Sequence, residues 1–181
     1  AWHAYGGNVT ELNEIRSVNP EKSIYFTEAS IGEWIGGWEN RWDFNFLSNC
    51  LVNDFSSIFM GTLSRGGSGV TLWNLMLDDK RGPYSRHDGS CKTCYGGVTI
   101  NSSDYKTIVR NSHWFNCAHA SAVIKPGAKL MKIQPFNMPS DLECQMYLNT
   151  DNTVGVLLCN KGTSERSIVF TNDKFSVNYS V

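Results

Sequence analysis

The chain has 181 residues, with 16 Lys and Arg against 17 Asp and Glu and a formal net charge of −1. Without an excess of Lys and Arg there is no polybasic surface to neutralise phosphates, which excludes a nucleic acid as the partner. The longest apolar stretches are far shorter than the roughly 18 residues of a transmembrane helix. A hydrophobic content of 41% is enough for a folded core.

The first two thirds of the chain alternate between predicted strands and predicted helices. The strands are expected at residues 2–5, 23–28, 70–75 and 98–100, and the helices at residues 10–18, 44–63 and 102–120. The second strand contains three consecutive apolar residues, which is typical of a strand buried on both faces. Apolar residues in the second helix recur close to the helical period. This order predicts right-handed βα units and a parallel sheet.

The last part of the chain has a different pattern. Short alternating runs at residues 143–148, 153–160 and 167–171 are separated by turn residues, which predicts an antiparallel β meander. Three βα units would leave two sheet edges and poorly covered apolar faces. The pattern therefore indicates a piece of a larger α/β protein that is followed by part of a β domain.

Polar and aromatic side chains are predicted at the carboxyl ends of three adjacent parallel strands. Function in α/β barrels is located at that end of the strands, so we expect these side chains to converge on one site. In chain order they are His3, Tyr5, Glu28, Ser30, Trp73 and Asn74.

Glu28 is the strongest candidate for a catalytic group. A carboxylate at the end of a buried strand, beside a Tyr and a Trp, fits the nucleophile of a glycosidase. The Trp offers a sugar a stacking surface, the Tyr hydroxyl can orient the carboxylate, and an Asn can bond sugar hydroxyls. The alternative is a structural carboxylate that is satisfied by helix N–H groups or by an Arg.

The cysteines bear on the cellular location. Six cysteines are many for a cytosolic protein. Cys91 and Cys94 form a C-x-x-C sequence in a Gly-rich loop, and without a second such pair a loop disulfide is favoured over a structural zinc. Together with N-x-S/T sequences at Asn8, Asn101 and Asn178, these residues favour a secreted, periplasmic or lysosomal protein.

Several segments resemble glycoside hydrolase family 30, which contains the glucosylceramidases and the endo-β-1,6-glucanases. Three of them are similar to the last three barrel strands of the family, one to its loop after the eighth strand, and two to its crossing into a β-sandwich. They are HAY at 3–5, YFTEAS at 25–30, LWNL at 72–75, GSCKTCYGGVTI at 89–100, HAS at 119–121 and IKPGA at 124–128.

The resemblance implies an α/β fold with two parts. Residues 1–124 would be the C-terminal portion of a (β/α)8 TIM barrel, namely its last three βα units, and residues 125–181 part of an antiparallel β-sandwich. It also implies retaining hydrolysis of β-glucosidic bonds, with Glu28 as the nucleophile that forms a glycosyl-enzyme. The other strand-end residues would bind substrate: His3, Tyr5, Ser30, Trp73 and Asn74.

The second carboxyl group of such an enzyme is not found at a suitable place. A retaining glycosidase uses two carboxyl groups about 5–5.5 Å apart. The resemblance implies an acid/base Glu after an Asn at the end of the fourth strand, which would lie before residue 1. Asn13 and Glu14 have that order but fall in a predicted helix. We therefore expect the N-terminal half of the barrel to lie upstream, and the isolated chain to be inactive.

Three functional hypotheses remain open. The leading one is a retaining β-glucosidase that is similar to glucosylceramidases, with glucosylceramide or a related β-glucoside as substrate. The alternative is an endo-β-1,6-glucanase of the same family, which acts on a β-glucan and is favoured by the C-x-x-C loop. A non-catalytic sugar-binding remnant is the third. Carboxyl chemistry is sufficient for hydrolysis, so we expect neither a cofactor nor a metal.

Overall fold

The protein is described by a computed structural model, which covers residues 1–37, 39, 41, 43–85 and 89–171, together with the backbone of 176–180. The chain divides into two compact units, Ala1–Ala122 and Val123–Val181. Short sheets and few helices give the described residues a mixed α/β fold. No helix in these ranges is long and apolar enough to cross a membrane.

The first unit contains eight described strands and most of the helical residues. The strands are β1 (Trp2–His3), β2 (Ile24–Glu28), β3 (Ile31–Gly32), β4 (Gly67–Val70), β5 (Met76–Asp78), β6 (Cys94–Tyr95), β7 (Val98–Ile100) and β8 (Ile108–Arg110). The helices are α1 (Leu12–Val18), α2 (Phe44–Asp54), α3 (Gly61–Leu63) and α4 (Ser112–Val123), with a π-helical segment (Phe55–Met60) that joins α2 to α3.

A parallel sheet in the order β1-β2-β4 lies at the centre of this unit. Trp2 pairs with Phe26 and His3 with Glu28, while Phe26 also pairs with Val70 on the other side. Phe26 has no exposed surface, whereas Tyr25 is 47% exposed, so the prediction that this strand is buried on both faces is wrong and only one face is buried. The predicted parallel arrangement is confirmed for these three strands.

The third strand of this sheet differs from the prediction. It spans Gly67–Val70, where a helix stop was expected, and not residues 70–75. A Cβ atom on Gly67 would lie 2.4 Å from the Thr62 side chain, so only glycine lets this strand approach the preceding helix. The apolar residues that follow are irregular, yet Thr71 N still donates to Phe26 O at 2.8 Å.

The last helix of the unit also begins later than predicted. It starts at Ser112 instead of residue 102, and β8 precedes it in an antiparallel pair with β7. Asp104 Oδ1 accepts hydrogen bonds from the backbone N–H groups of Lys106 and Thr107 at 2.8 and 3.0 Å. Such local bonds compete with helix formation, which explains why the serines at 102 and 103 do not start a helix.

The long helical region agrees better with its prediction. Helical structure continues from Phe44 to Leu63 through α2, the π segment and α3, as the apolar spacing predicted. Asp43 begins it by accepting the N–H groups of Asn45 and Phe46 with its carboxylate. A 3-10 helix (Val9–Glu11) leads into α1, and it is capped by Asn8 and not by Thr10, because Asn8 and Glu11 form a capping box.

The second unit consists of antiparallel pairs of strands, as predicted. They are β9 (Lys129–Leu130), β10 (Leu142–Leu148), β11 (Val154–Asn160), β12 (Ser167–Thr171) and β13 (Ser176–Ser180). One sheet has the order β11-β10-β9 and the other pairs β12 with β13. Asn149 follows β10 and is 4% exposed. Its side chain joins the turn after β10 to the segment before β9, since it donates to Val123 O and accepts from Lys125 N, both at 3.0 Å.

We predict that Phe26→Ala destabilises the protein by about 3–5 kcal/mol, because it leaves a cavity in the central sheet. Tyr25→Ala is the matched control, since its side chain is 47% exposed on the same strand and should cost less than about 1 kcal/mol. Urea denaturation of both variants measures the difference. Equal losses would contradict the central role of Phe26.

Candidate functional site

Glu28 is the last residue of β2, and His3 is the last residue of β1. The two strands are parallel and His3 is the register partner of Glu28, so both side chains leave the sheet at the same edge. This is the edge that the sequence predicted for the site. It is the carboxyl end of the strands, where α/β enzymes hold their reacting groups.

His3 lies between two side chains of β2. Its Nε2 is 2.7 Å from Thr27 Oγ1, and its Nδ1 is 3.7 Å from Glu28 Oε2. The side chains of His3 and Glu28 are 35% and 41% exposed, so the pair is neither free in solvent nor deeply buried. His3 therefore fixes one side of the Glu28 carboxylate without enclosing it.

Tyr5 contacts the same carboxylate. Its ring packs edge-on against the ring of His3, with centroids 5.5 Å apart. Partial burial of the phenol, the charge of Glu28 and a hydrogen bond to Glu28 raise the pKa of Tyr5, while a hydrogen bond to Ser30 lowers it. Although 68% of the Tyr5 side chain is exposed, its hydroxyl thus lies against Glu28 and Ser30.

The segment after β4 carries Trp73 and Asn74, which are joined by a cis peptide bond. Trp73 N donates to Ala29 O at 2.9 Å, which places Trp73 just beyond the end of β2. Asn74 is occupied within its own loop, since its Oδ1 accepts from Met76 N at 2.9 Å and its backbone oxygen from Gly97 N at 2.8 Å. In this structure Asn74 supports the loop beside Trp73.

A cavity of about 290 Å³ opens beside Glu28. Residues of the strand ends form one side of it, and residues of the loop between β5 and β6 form the other. Its lining consists of Glu28, Ser30, Trp73, Leu77, Arg81, Pro83, Tyr84, Ser85, Gly89, Ser90, Cys91 and Cys94. The structure thus brings Glu28, Ser30, Trp73 and both cysteines together in one cavity, whereas His3 and Tyr5 contact Glu28 from outside the lining and Asn74 is not part of it.

The loop between β5 and β6 is held by covalent and polar contacts. Cys91 and Cys94 form a disulfide, with Cα atoms 5.6 Å apart. Arg81 forms a salt bridge with Glu33, and its Nε donates to Lys92 O at 2.9 Å. Because Glu33 directly follows β3, these contacts join the loop to the segment that continues from β2.

Arg81 and Tyr84 were not singled out by the sequence analysis. They lie in a polar loop without periodicity, so no pattern places them opposite Glu28. The signal that was available is a Tyr after Gly82 and Pro83, an aromatic residue next to turn residues in a predicted loop.

Within the described ranges, His, Cys, Asp and Glu side chains form no cluster of three that could hold a metal ion.

The comparisons with known proteins point to one family. An endo-1,6-β-D-glucanase of Aspergillus fumigatus is 30% identical over 168 residues, which is 88% of this chain. The solved structure of the endo-β1,6-glucanase BT3312 is 41% identical, covers 99% of this chain and superposes with a TM-score of 0.88. A putative glucosylceramidase of Caenorhabditis elegans is 25% identical over 84% of the chain. No protein-family model matches the sequence.

These relatives are glycoside hydrolases, and they agree with the resemblance to glycoside hydrolase family 30 that the strand-end segments carry. The chain spans about a third of the length of the relatives it matches, 30% of the Aspergillus glucanase and 37% of the solved one.

We predict that Glu28→Gln lowers the pKa of Tyr5, because the substitution removes the nearby negative charge that raises this pKa. NMR titration of ring-labelled tyrosine, with Tyr5→Phe to assign the signal, measures the change. Glu33→Gln is the control and should leave the Tyr5 titration unchanged. An unaltered pKa in Glu28→Gln would contradict the contact between the two side chains.

Proposed function

We propose that this chain is the nucleophile-bearing part of a retaining endo-β-1,6-glucanase. The observation that carries the proposal is the position of Glu28, at the end of a parallel strand and in a cavity that Trp73 also lines. The similarity to endo-1,6-β-glucanases, 30% and 41% identical to this chain, supports both the reaction and the substrate.

In the proposed reaction, Glu28 attacks the anomeric carbon of a β-linked glucose unit, and the glycosidic C–O bond breaks as the covalent glycosyl-enzyme forms. The acid/base group protonates the departing sugar oxygen and then takes a proton from the water that hydrolyses the glycosyl-enzyme and frees Glu28.

His3 and Tyr5 are positioning residues, since both contact the carboxylate and neither lines the cavity. Ser30 and Trp73 bind the sugar, because both line the cavity beside the attacking group. Asn74 is a positioning residue, because its hydrogen bonds to Met76 N and Gly97 N support the loop that carries Trp73.

Retaining hydrolysis also needs an acid/base carboxyl group about 5–5.5 Å from the nucleophile. Among residues 1–37, 39, 41, 43–85 and 89–171, Glu28 is the carboxylate that lines the cavity. The chain spans about a third of its relatives' length, so the proposal assigns the acid/base to the part of the fold that this chain does not span. Turnover then requires both parts, and the isolated chain is inactive.

The proposal includes the domain organisation that the resemblance implies. Residues 1–124 form the last three βα units of a (β/α)8 barrel, which the parallel pairing of β1, β2 and β4 supports. Residues 125–181 form part of a β-sandwich, which the antiparallel pairs of the second unit support. The disulfide between Cys91 and Cys94 supports a secreted or periplasmic enzyme, because disulfides persist in oxidising compartments.

The choice of substrate revises the leading hypothesis from the sequence. That hypothesis favoured a glucosylceramidase-like enzyme, whereas the endo-β-1,6-glucanase alternative is better supported by the comparisons. The glucanases are 30% and 41% identical to this chain, against 25% for the putative glucosylceramidase. Glucosylceramide is accordingly the less favoured substrate, and a β-1,6-linked glucan is the proposed one.

We predict that Glu28→Gln, in the protein expressed from its complete gene, lowers turnover by on the order of 10⁴-fold or more, the scale seen when another hydrolase loses its nucleophile. A 2-fluoro-glucosyl inhibitor, which traps the glycosyl-enzyme, should label Glu28, as peptide mass spectrometry would show. Glu21→Gln is the matched control, since Glu21 is 63% exposed and pairs with Lys22. Label on another carboxylate would refute the assignment.

The substrate assignment has its own prediction. The complete enzyme should cleave a linear β-1,6-glucan into oligosaccharides and release them with retained anomeric configuration, which NMR follows during the reaction. Glucosylceramide in detergent should be hydrolysed at least about tenfold less efficiently, as expected for discrimination by substrate contacts. The opposite preference would return the assignment to a glucosylceramidase.

A further inference from the structure

Among the described residues that line the cavity, Tyr84 combines an aromatic ring with high exposure. Its side chain is 51% exposed, whereas Leu77 and Cys94, which line the same cavity, are 3% exposed each. We call the two buried residues the floor of the cavity and Tyr84 its rim. A ring at the rim is reached by a ligand that extends out of the cavity towards solvent.

The backbone that carries Tyr84 is held firmly. Asp78, the last residue of β5, accepts the N–H groups of Lys80 and Gly82 with its Oδ1 at 2.9 and 2.7 Å. Its own N–H donates to Gly82 O at 2.7 Å, which closes the turn before Pro83 and Tyr84. Because the backbone of this turn is already ordered, it loses little conformational entropy when the ring binds a ligand.

The turn is also fixed relative to the nucleophile strand. Arg81 pairs with Glu33, which follows β3, and Arg81 Nε bonds Lys92 O at 2.9 Å. The segment of Lys92 is joined to β3 in turn, since Glu33 N donates to Thr93 O at 3.0 Å. The described parts of the β5–β6 loop around Arg81 and Lys92 are therefore joined to the segment after Glu28, and this connection anchors the backbone three residues before Tyr84.

We propose that Tyr84 is a substrate-binding residue that stacks against a second sugar unit, next to the unit that Glu28 attacks. The inference rests on the proposed function, and it names a part of the site that sequence analysis did not find. Trp73 provides an aromatic surface on the strand side of the cavity, and Tyr84 provides another on the loop side, at the rim. The apolar faces of sugar rings pack on such surfaces as other flat groups do.

A second sugar site has a consequence for substrate selection. Binding energy from a sugar that does not react can be used to position the sugar that does. A substrate with two or more linked glucose units therefore gains from Tyr84, whereas a substrate with one unit and a small leaving group does not. The site favours a glucan over a single glucoside.

The test compares two substrates in the enzyme expressed from its complete gene. One is a trimer of β-1,6-linked glucose, and the other is β-glucosyl fluoride, which has one sugar and a fluoride leaving group. For Tyr84→Ala we expect kcat/KM to fall about tenfold on the trimer, equivalent to about 1.4 kcal/mol, and to change less than about twofold on the fluoride. Tyr84→Phe, which keeps the ring, should restore wild-type behaviour.

Phe136→Ala is the control, because Phe136 is an 89% exposed aromatic residue that is not among those lining the cavity. It should leave both substrates unaffected. Equal losses on both substrates in Tyr84→Ala would assign Tyr84 a structural role, and unchanged values would assign it none; either result overturns the proposal.

A binding measurement separates this inference from the proposed function. Calorimetry of the trimer with Glu28→Gln needs no turnover, so it remains informative if the wild-type enzyme fails to hydrolyse the glucan. Adding Tyr84→Ala to that variant should weaken trimer binding about tenfold and leave binding of methyl β-glucoside unchanged. If the wild-type enzyme does not hydrolyse the glucan but Tyr84→Ala still weakens binding of the trimer alone, only the proposed function is overturned. If Tyr84→Ala does not weaken binding of the trimer more than binding of methyl β-glucoside, the stacking role is overturned.

Discussion

The parallel pairing of β1, β2 and β4 is the constraint on which the candidate site depends. Phe26, which has no exposed surface, lies in the middle strand and pairs with Trp2 on one side and Val70 on the other. Since the three strands run in one direction, the segments that leave them emerge at one edge. The contact between His3 and Glu28 is thus a consequence of the sheet register, and burial of the sheet core positions a carboxylate that is itself 41% exposed.

The other side of the cavity is built on a different principle. In the described part of the loop between β5 and β6, the Asp78 turn, the Arg81–Glu33 salt bridge and the Cys91–Cys94 disulfide hold the backbone. A Cβ atom on Gly32 would lie 2.5 Å from Thr93 O, so the pairing of β3 with β6 depends on glycine at this position. Polar and covalent contacts keep a solvent-facing loop in place where burial cannot.

This difference explains which features could be predicted from the sequence. Apolar periodicity located β2, the helical region from Phe44 and the antiparallel hairpins, because those elements are set by burial. It did not predict β4 or β8. β4 forms because Gly67 can approach Thr62 closely, and β8 follows a turn that is closed by hydrogen bonds to Asp104, so neither depends on apolar periodicity. The sequence singled out Glu28 because it ends an apolar strand, and its role stays a prediction, whereas the position of Tyr84 beside it depends on loop contacts between distant residues that no local pattern encodes.

The same division separates reaction from substrate in the proposed function. There the attacking carboxylate of Glu28 lies on the sheet, so relatives that share the sheet can share the chemistry even when they are named for different substrates, as the glucanases and the putative glucosylceramidase are. In the same proposal the second sugar is met by Tyr84, which lies on a loop. Exchange of Tyr84 would then change the substrate preference while Glu28 and its contacts with His3 and Tyr5 remain, so the proposal predicts that the loop, and not the sheet, distinguishes the substrates of such enzymes.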